Sequence, residues 1–154
     1  MHWTHHVVLL SLLAAAAIRD RKDGQIPDAI SYGGTALGLV FAYFVSTDTV
    51  GNAIRGTLLV SGGMFWIAMV FESLTQREGM GFGDVKLSGV LGAFLGITGS
   101  IRVISYAAWL AVLHETFRKK SSRCRRIPFA PYVFYGAAIH EIYSLFASHF
   151  WIQT

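Results

Sequence analysis

The chain alternates between long apolar stretches and short clusters of charge, and that alternation limits it to very few folds. A helix of about 20 apolar residues crosses the hydrocarbon core of a bilayer. By that measure the sequence holds six candidate segments: residues 3–18, 29–46, 53–74, 85–98, 101–117 and a last one running to about Trp151. Only 14% of the 154 residues are charged, against about 25% in an ordinary soluble domain, and mean hydropathy is positive at +0.48. The expected fold is therefore all-α: a single polytopic membrane domain over 1–154, built as a bundle of about six transmembrane helices.

The connecting stretches give an orientation. Arg19, Arg21, Lys22, Arg77, Lys86, Arg118, Lys119, Lys120, Arg123, Arg125 and Arg126 fall in one alternating set of loops, which is 11 of the 13 basic residues. Arg55 and Arg102 are left for the other set. Basic residues concentrate on the cytoplasmic side of membrane proteins, so this set is expected in the cytoplasm and both termini outside it. The same distribution explains the net charge of +4 without nucleic acid as a partner. At the N-terminus Arg19, Arg21 and Lys22 follow the apolar stretch, whereas a cleaved secretory signal carries its positive charge before it.

Small residues four apart, Gly34 and Gly38 in the second segment and Ser88, Gly92 and Gly96 in the fourth, mark stripes along which membrane helices can approach closely. His2, His5 and His6 read as a polar, interfacial N-terminus. The lone cysteine, Cys124, can build neither a disulfide framework nor a multi-cysteine zinc site within the chain. There is no nucleophile-elbow serine and no phosphate-cradling P-loop.

Among nine acidic residues, Asp20 and Asp84 stand out. Asp84 follows the glycine-rich run Gly79-Met80-Gly81-Phe82-Gly83 at the mouth of an apolar segment. A carboxylate costs about 2.5 to 3.5 kcal/mol at the bilayer centre, so one at a segment edge commonly faces a cavity. It can equally cap the following helix by accepting backbone N–H bonds. Asp20 begins a polar loop, 19–28, and is open to pairing with Arg19, Arg21 or Lys22; Asp23 and Asp28 are close rivals. Two aspartates brought together do not both ionise easily, so one keeps a proton while the other acts as base. Sequence spacing does not bring Asp20 and Asp84 together, since 64 residues separate them.

Three stretches resemble the type IV prepilin peptidases, a GxGD class of intramembrane aspartyl protease. They are Asp20 with Ile26-Pro27-Asp28, the run Gly81-Phe82-Gly83-Asp84-Val85-Lys86-Leu87, and Ile127-Pro128-Phe129-Ala130-Pro131-Tyr132 at the start of the last segment. The resemblance implies that Asp20 and Asp84 form a catalytic pair. It implies a bacterial inner-membrane peptidase cutting the short, positively charged leader from prepilins or pilin-like secretion subunits at the cytoplasmic face. Gly81 and Gly83 would lend flexibility around Asp84, and Pro27 and Pro128 would shape the site. Lys86 is expected to orient Asp84 or tune it electrostatically. Many members of that family add a region with paired Cys-x-x-Cys motifs, linked to zinc and to N-methylation. With Cys124 alone, a minimal peptidase core without metal or cofactor is expected. Two readings of other classes compete: a catalytically silent membrane scaffold of the same fold, and a small ion or proton transporter.

Overall fold

A computed structural model describes residues 2–76, 81–117 and 128–151. The described residues form five helices: α1 (His2–Asp23), α2 (Asp28–Val45), α3 (Thr47–Thr75), α4 (Phe82–Phe117) and α5 (Ala130–Trp151). Among the described residues, three of these, α2, α3 and α4, are long and apolar enough to cross a membrane. The basic stretch 118–126 with Cys124, together with Gly79 and Met80, lies outside the described residues.

Three boundaries differ from the sequence expectation, each for a local reason. α1 runs past residue 18 to Asp23, so Asp20 is helical and not part of a loop. Arg21 and Lys22 occupy its last turn, where cations oppose the negative end of the helix dipole. Gly24, at φ 62°, then closes the helix by donating its N–H to the Asp20 carbonyl at 3.0 Å. α3 begins at Thr47 and not at residue 53, because the Ser46 side chain accepts the Thr49 N–H and caps it. α5 begins at Ala130, inside the stretch expected to break helix. Pro131 falls in its first turn, where a missing N–H costs no helical bond.

The fourth and fifth expected segments are joined as one element, α4, broken at Gly96. That residue has φ 65° and ψ −167°, a backbone region open essentially only to glycine. The break was expected over 98–101, yet Ser100 is helical and its hydroxyl donates to the Gly96 carbonyl at 2.6 Å. A straight helix would hold Asp84 and His114 about 45 Å apart. Instead His114 Nδ1 lies 2.8 Å from the Tyr132 hydroxyl, in the first turn of α5, and the first residue of α5 bonds to Asp20 beside Asp84. The two arms of α4 therefore run in opposite directions from Gly96, the second returning alongside α5. A Cβ at Gly136 would sit 2.7 Å from the Val103 carbonyl and 3.1 Å from the Ala107 nitrogen, and one at Gly99 would sit 3.5 Å from His140.

The first arm of α4 packs between α2 and α3. A Cβ on Gly38 would meet Ala93 at 2.7 Å and Phe94 at 2.8 Å, and one on Gly34 would meet Val90 at 3.2 Å. Gly56 of α3 and Gly92 of α4 touch backbone to backbone, closer than any Cβ allows. Where lipid is as apolar as the protein, such close packing takes over the role of hydrophobic burial. The buried core joins α4 to the other side of the bundle, with Leu9 and Leu13 of α1, Leu87, Val90 and Leu91 of α4 and Val133 of α5. As a result α1 and α3 end, and α2, α4 and α5 begin, at the same end of the bundle.

Candidate functional site

At that shared end the helix termini enclose a cavity of about 380 Å³. Asp20 of α1, Asp28 of α2, Glu72 of α3, and Gly81, Gly83, Asp84 and Lys86 at the start of α4 line it. The two aspartates 64 residues apart in sequence thus share one cavity, close enough for the Asp20 charge to act on the Asp84 carboxyl.

Each is fixed by a helix start. Asp20 Oδ2 accepts the backbone N–H of Ala130 at 3.1 Å. Ala130 is the first residue of α5, so this N–H has no partner within its own helix. Burial pushes the Asp20 carboxyl above the usual carboxylate range, and the Ala130 N–H partly offsets that by favouring the charged form. Asp84 sits in the first turn of α4. Its N–H donates to the Gly81 carbonyl at 3.0 Å, and its carboxylate accepts the Gly81 N–H in return. A side chain three positions into a helix that takes up the N–H of the residue before it is one half of a capping box; the other half is here a backbone bond. Capping and facing a cavity, which the sequence left as alternatives, are both true of Asp84.

The other expected site residues divide. Gly81 and Gly83 lie beside Asp84, and a Cβ on Gly83 would press on Ile26 at 3.3 Å. Gly83 is therefore a point of close contact between the 24–27 turn and α4. Lys86 lines the cavity, but its ammonium is held by Asp28 Oδ1 at 2.6 Å and lies 5.2 Å from the centre of the Tyr32 ring. Neither Pro27 nor Pro128 lines the cavity. The Pro27 carbonyl accepts from Ile30 and Ser31 to start α2, and Pro128 leads into Phe129, whose carbonyl starts α5. Asp23 turns to Arg19 at 3.6 Å on the exposed face of α1, so the rival pairing of Asp20 with Arg19 is replaced by Asp23.

Sequence reasoning missed the Ala130 N–H and the part of Glu72, Gln25 and Phe82 in the cavity wall. Glu72 carried a signal, since it is the one carboxylate in the apolar run of α3 from 53 to 74. Among the described residues no group of three or more His, Cys, Asp or Glu side chains is arranged to hold a metal ion.

The described residues thus define an all-helical protein with membrane-length helices whose ends close around a cavity shared by two aspartates. The chain belongs to the type IV leader peptidase family, whose model matches residues 7–115. It is 30% identical over 133 residues to a prepilin leader peptidase/N-methyltransferase of Pseudomonas putida, covering 82% of this chain and 46% of that protein. The protein of the same name from Xanthomonas campestris pv. campestris is 32% identical over 130 residues, covering 82% and 45%. Leader peptidase HopD of Escherichia coli is 30% identical over 118 residues, covering 74% of this chain and 76% of HopD. The chain thus spans about half the length of the Pseudomonas and Xanthomonas relatives and most of HopD. No solved structure matches it.

Proposed function

We propose that this chain is a membrane-embedded aspartyl endopeptidase that removes the leader peptide from prepilins or pilin-like secretion subunits, with Asp20 and Asp84 as the catalytic pair. The observation that carries the reading is the meeting of these two carboxylates in one cavity. Family membership and the names of its relatives support the substrate class.

The chemistry follows from the pair. Two neighbouring carboxylates hold one proton between them and titrate as a unit. The ionised member takes a proton from water as the water oxygen attacks the scissile carbonyl carbon, while the protonated member donates to the carbonyl oxygen. Collapse of the tetrahedral intermediate breaks the C–N bond; the leaving amine takes a proton from the pair while one hydroxyl of the intermediate gives a proton back to it, so the carboxylates return to their starting state. The Ala130 and Gly81 N–H groups fix the two carboxylates before substrate arrives, so little reorganisation is left to the reaction.

In this reading the arms of α4, with α1, α2, α3 and α5, make the membrane crossings of a bacterial inner-membrane protein. The end that carries Arg19, Arg21, Lys22 and Lys86 is read as cytoplasmic, since basic residues favour that side, with both termini outside. A membrane-anchored substrate then presents its leader on the side where the cavity opens. The test is co-expression with prepilins. The wild-type chain shortens the substrate by a leader, and Asp20→Asn and Asp84→Asn, inserted at equal levels, do not. Full cleavage by either variant contradicts the pair. Ion flux into proteoliposomes that vanishes with Asp84→Asn, without cleavage, replaces the peptidase with a transporter.

A further inference from the structure

Among the described residues, the cavity lining holds one cation, Lys86, and that cation is already engaged. Lys86 is two residues from Asp84 in the first turns of α4, and its flexible four-carbon stem ends at Asp28 Oδ1, 2.6 Å away in the first turn of α2. The Tyr32 ring lies below it at 5.2 Å. The Asp28 side chain is 64% exposed, and an ion pair so open to solvent contributes little to stability. What the pair does determine is where a positive charge rests in the cavity.

We propose that Asp28 is a positioning residue that keeps the Lys86 ammonium turned toward α2 and away from the Asp20/Asp84 pair. This rests on the peptidase reading above. Among the described residues, the charged groups that line the cavity are Asp20 from α1, Asp28 from α2, Glu72 from α3, and Asp84 and Lys86 from α4; Tyr32 of α2 lies beside Lys86, and α5 brings the Ala130 N–H to Asp20. Released from Asp28, the ammonium is left among Asp84, Asp20 and Glu72. An opposite charge within a few ångströms favours the ionised form of a carboxyl group. A lysine paired with either catalytic aspartate therefore drives off the proton that the pair must share, and the enzyme loses its general acid at a lower pH.

The experiment is the pH dependence of leader cleavage by the purified full chain, for wild type, Asp28→Asn, Asp28→Glu, Lys86→Met and the double variant Asp28→Asn/Lys86→Met. Asp28→Asn is expected to move the alkaline limb down by about one pH unit, in the range an adjacent opposite charge produces, with its melting temperature unchanged. Asp28→Glu restores the limb, and the double variant superimposes on Lys86→Met. An Asp28→Asn profile that matches wild type overturns the role of Asp28. So does a double variant that keeps the Asp28→Asn shift, since the effect then bypasses Lys86. In both cases a cleaving wild type leaves the peptidase reading standing. A wild type that cleaves no prepilin, or an Asp84→Asn variant that cleaves normally, overturns that reading and the role of Asp28 with it.

Discussion

The Asp20 carboxylate on α1 and the Ala130 N–H on α5 are 110 positions apart in sequence and 3.1 Å apart in the fold. The first orphan donor of one helix is thus satisfied by the last turn of another. This bond ties the Ile-Pro-Phe-Ala-Pro-Tyr stretch to the cavity through its backbone. Ala130→Pro removes the donor at a first helical position that proline suits, although its ring also adds atoms where the Ala130 methyl is fully buried, so the loss is read against a helical content equal to wild type. A hydrogen bond to a charged group is worth about 1.5 to 3 kcal/mol, so kcat/KM for leader cleavage should fall by about 10- to 100-fold. Ala130→Gly keeps the N–H and should stay much closer to wild type. Equal losses in both variants would mean that the Ala130 side chain, and not its N–H, is what matters.

Asp20 also makes stability depend on pH. Burial raises its folded-state carboxyl above the ordinary value of 3.8, so the folded chain holds this proton more tightly than the unfolded chain. Stability then falls as pH rises from about the unfolded value through the folded one, and levels off above it. Melting temperature in detergent, followed from acid to neutral pH, should show this decline. Asp20→Asn should make it shallower without abolishing it, since the neighbouring Asp84 carboxyl is buried as well, and a slope unchanged in that variant would assign the decline to other groups.

Gly56 is where α3 and α4 touch backbone to backbone. A methyl group placed there must push the helices apart. Overpacking of this kind costs roughly 1 to 3 kcal/mol, so Gly56→Ala should lower the melting temperature clearly. Gly62→Ala serves as the control on the same helix, because a Cβ there meets nothing within 4 Å. Indistinguishable melting of the two variants would contradict the close contact.

Gly96→Ala tests the reversal of α4. The position has open space around it but a backbone conformation closed to other residues. Strain of about 1 to 3 kcal/mol is expected, read as a lower melting temperature and as weaker protection of the second arm in hydrogen exchange. A variant as stable as wild type would mean that the arms do not turn at Gly96.

Much of this was legible in the sequence, for reasons that differ from residue to residue. The apolar segments were visible because length and hydropathy are additive along the chain. Gly34, Gly38 and Gly92 were readable as packing positions because helical spacing puts them on one stripe. Asp84 was readable because a carboxylate next to a long apolar run is conspicuous. The boundaries were less visible. Ser46 caps α3 through an ordinary serine, and α1 continues through five charged or polar positions because its end faces solvent. The Ala130 donor was illegible, since a backbone N–H has no signature in a side-chain sequence. The Asp28 to Lys86 pairing was hidden because it depends on α2 and the first arm of α4 running parallel from a common end. Asp28 was weighed as a rival catalytic group and Lys86 as a partner for Asp84; the fold pairs them with each other.

The central claim is that Asp20 and Asp84 act as one catalytic unit, and single-turnover leader cleavage by purified Asp20→Asn, Asp84→Asn and the double variant tests it most directly. Groups that act as a unit are strongly non-additive. Each single variant is predicted to lose at least about a thousandfold in rate while keeping the wild-type helical content, and the double variant to be no slower than either. A single variant that retains the wild-type rate, or a double variant slowed by the product of the two single effects, would contradict it.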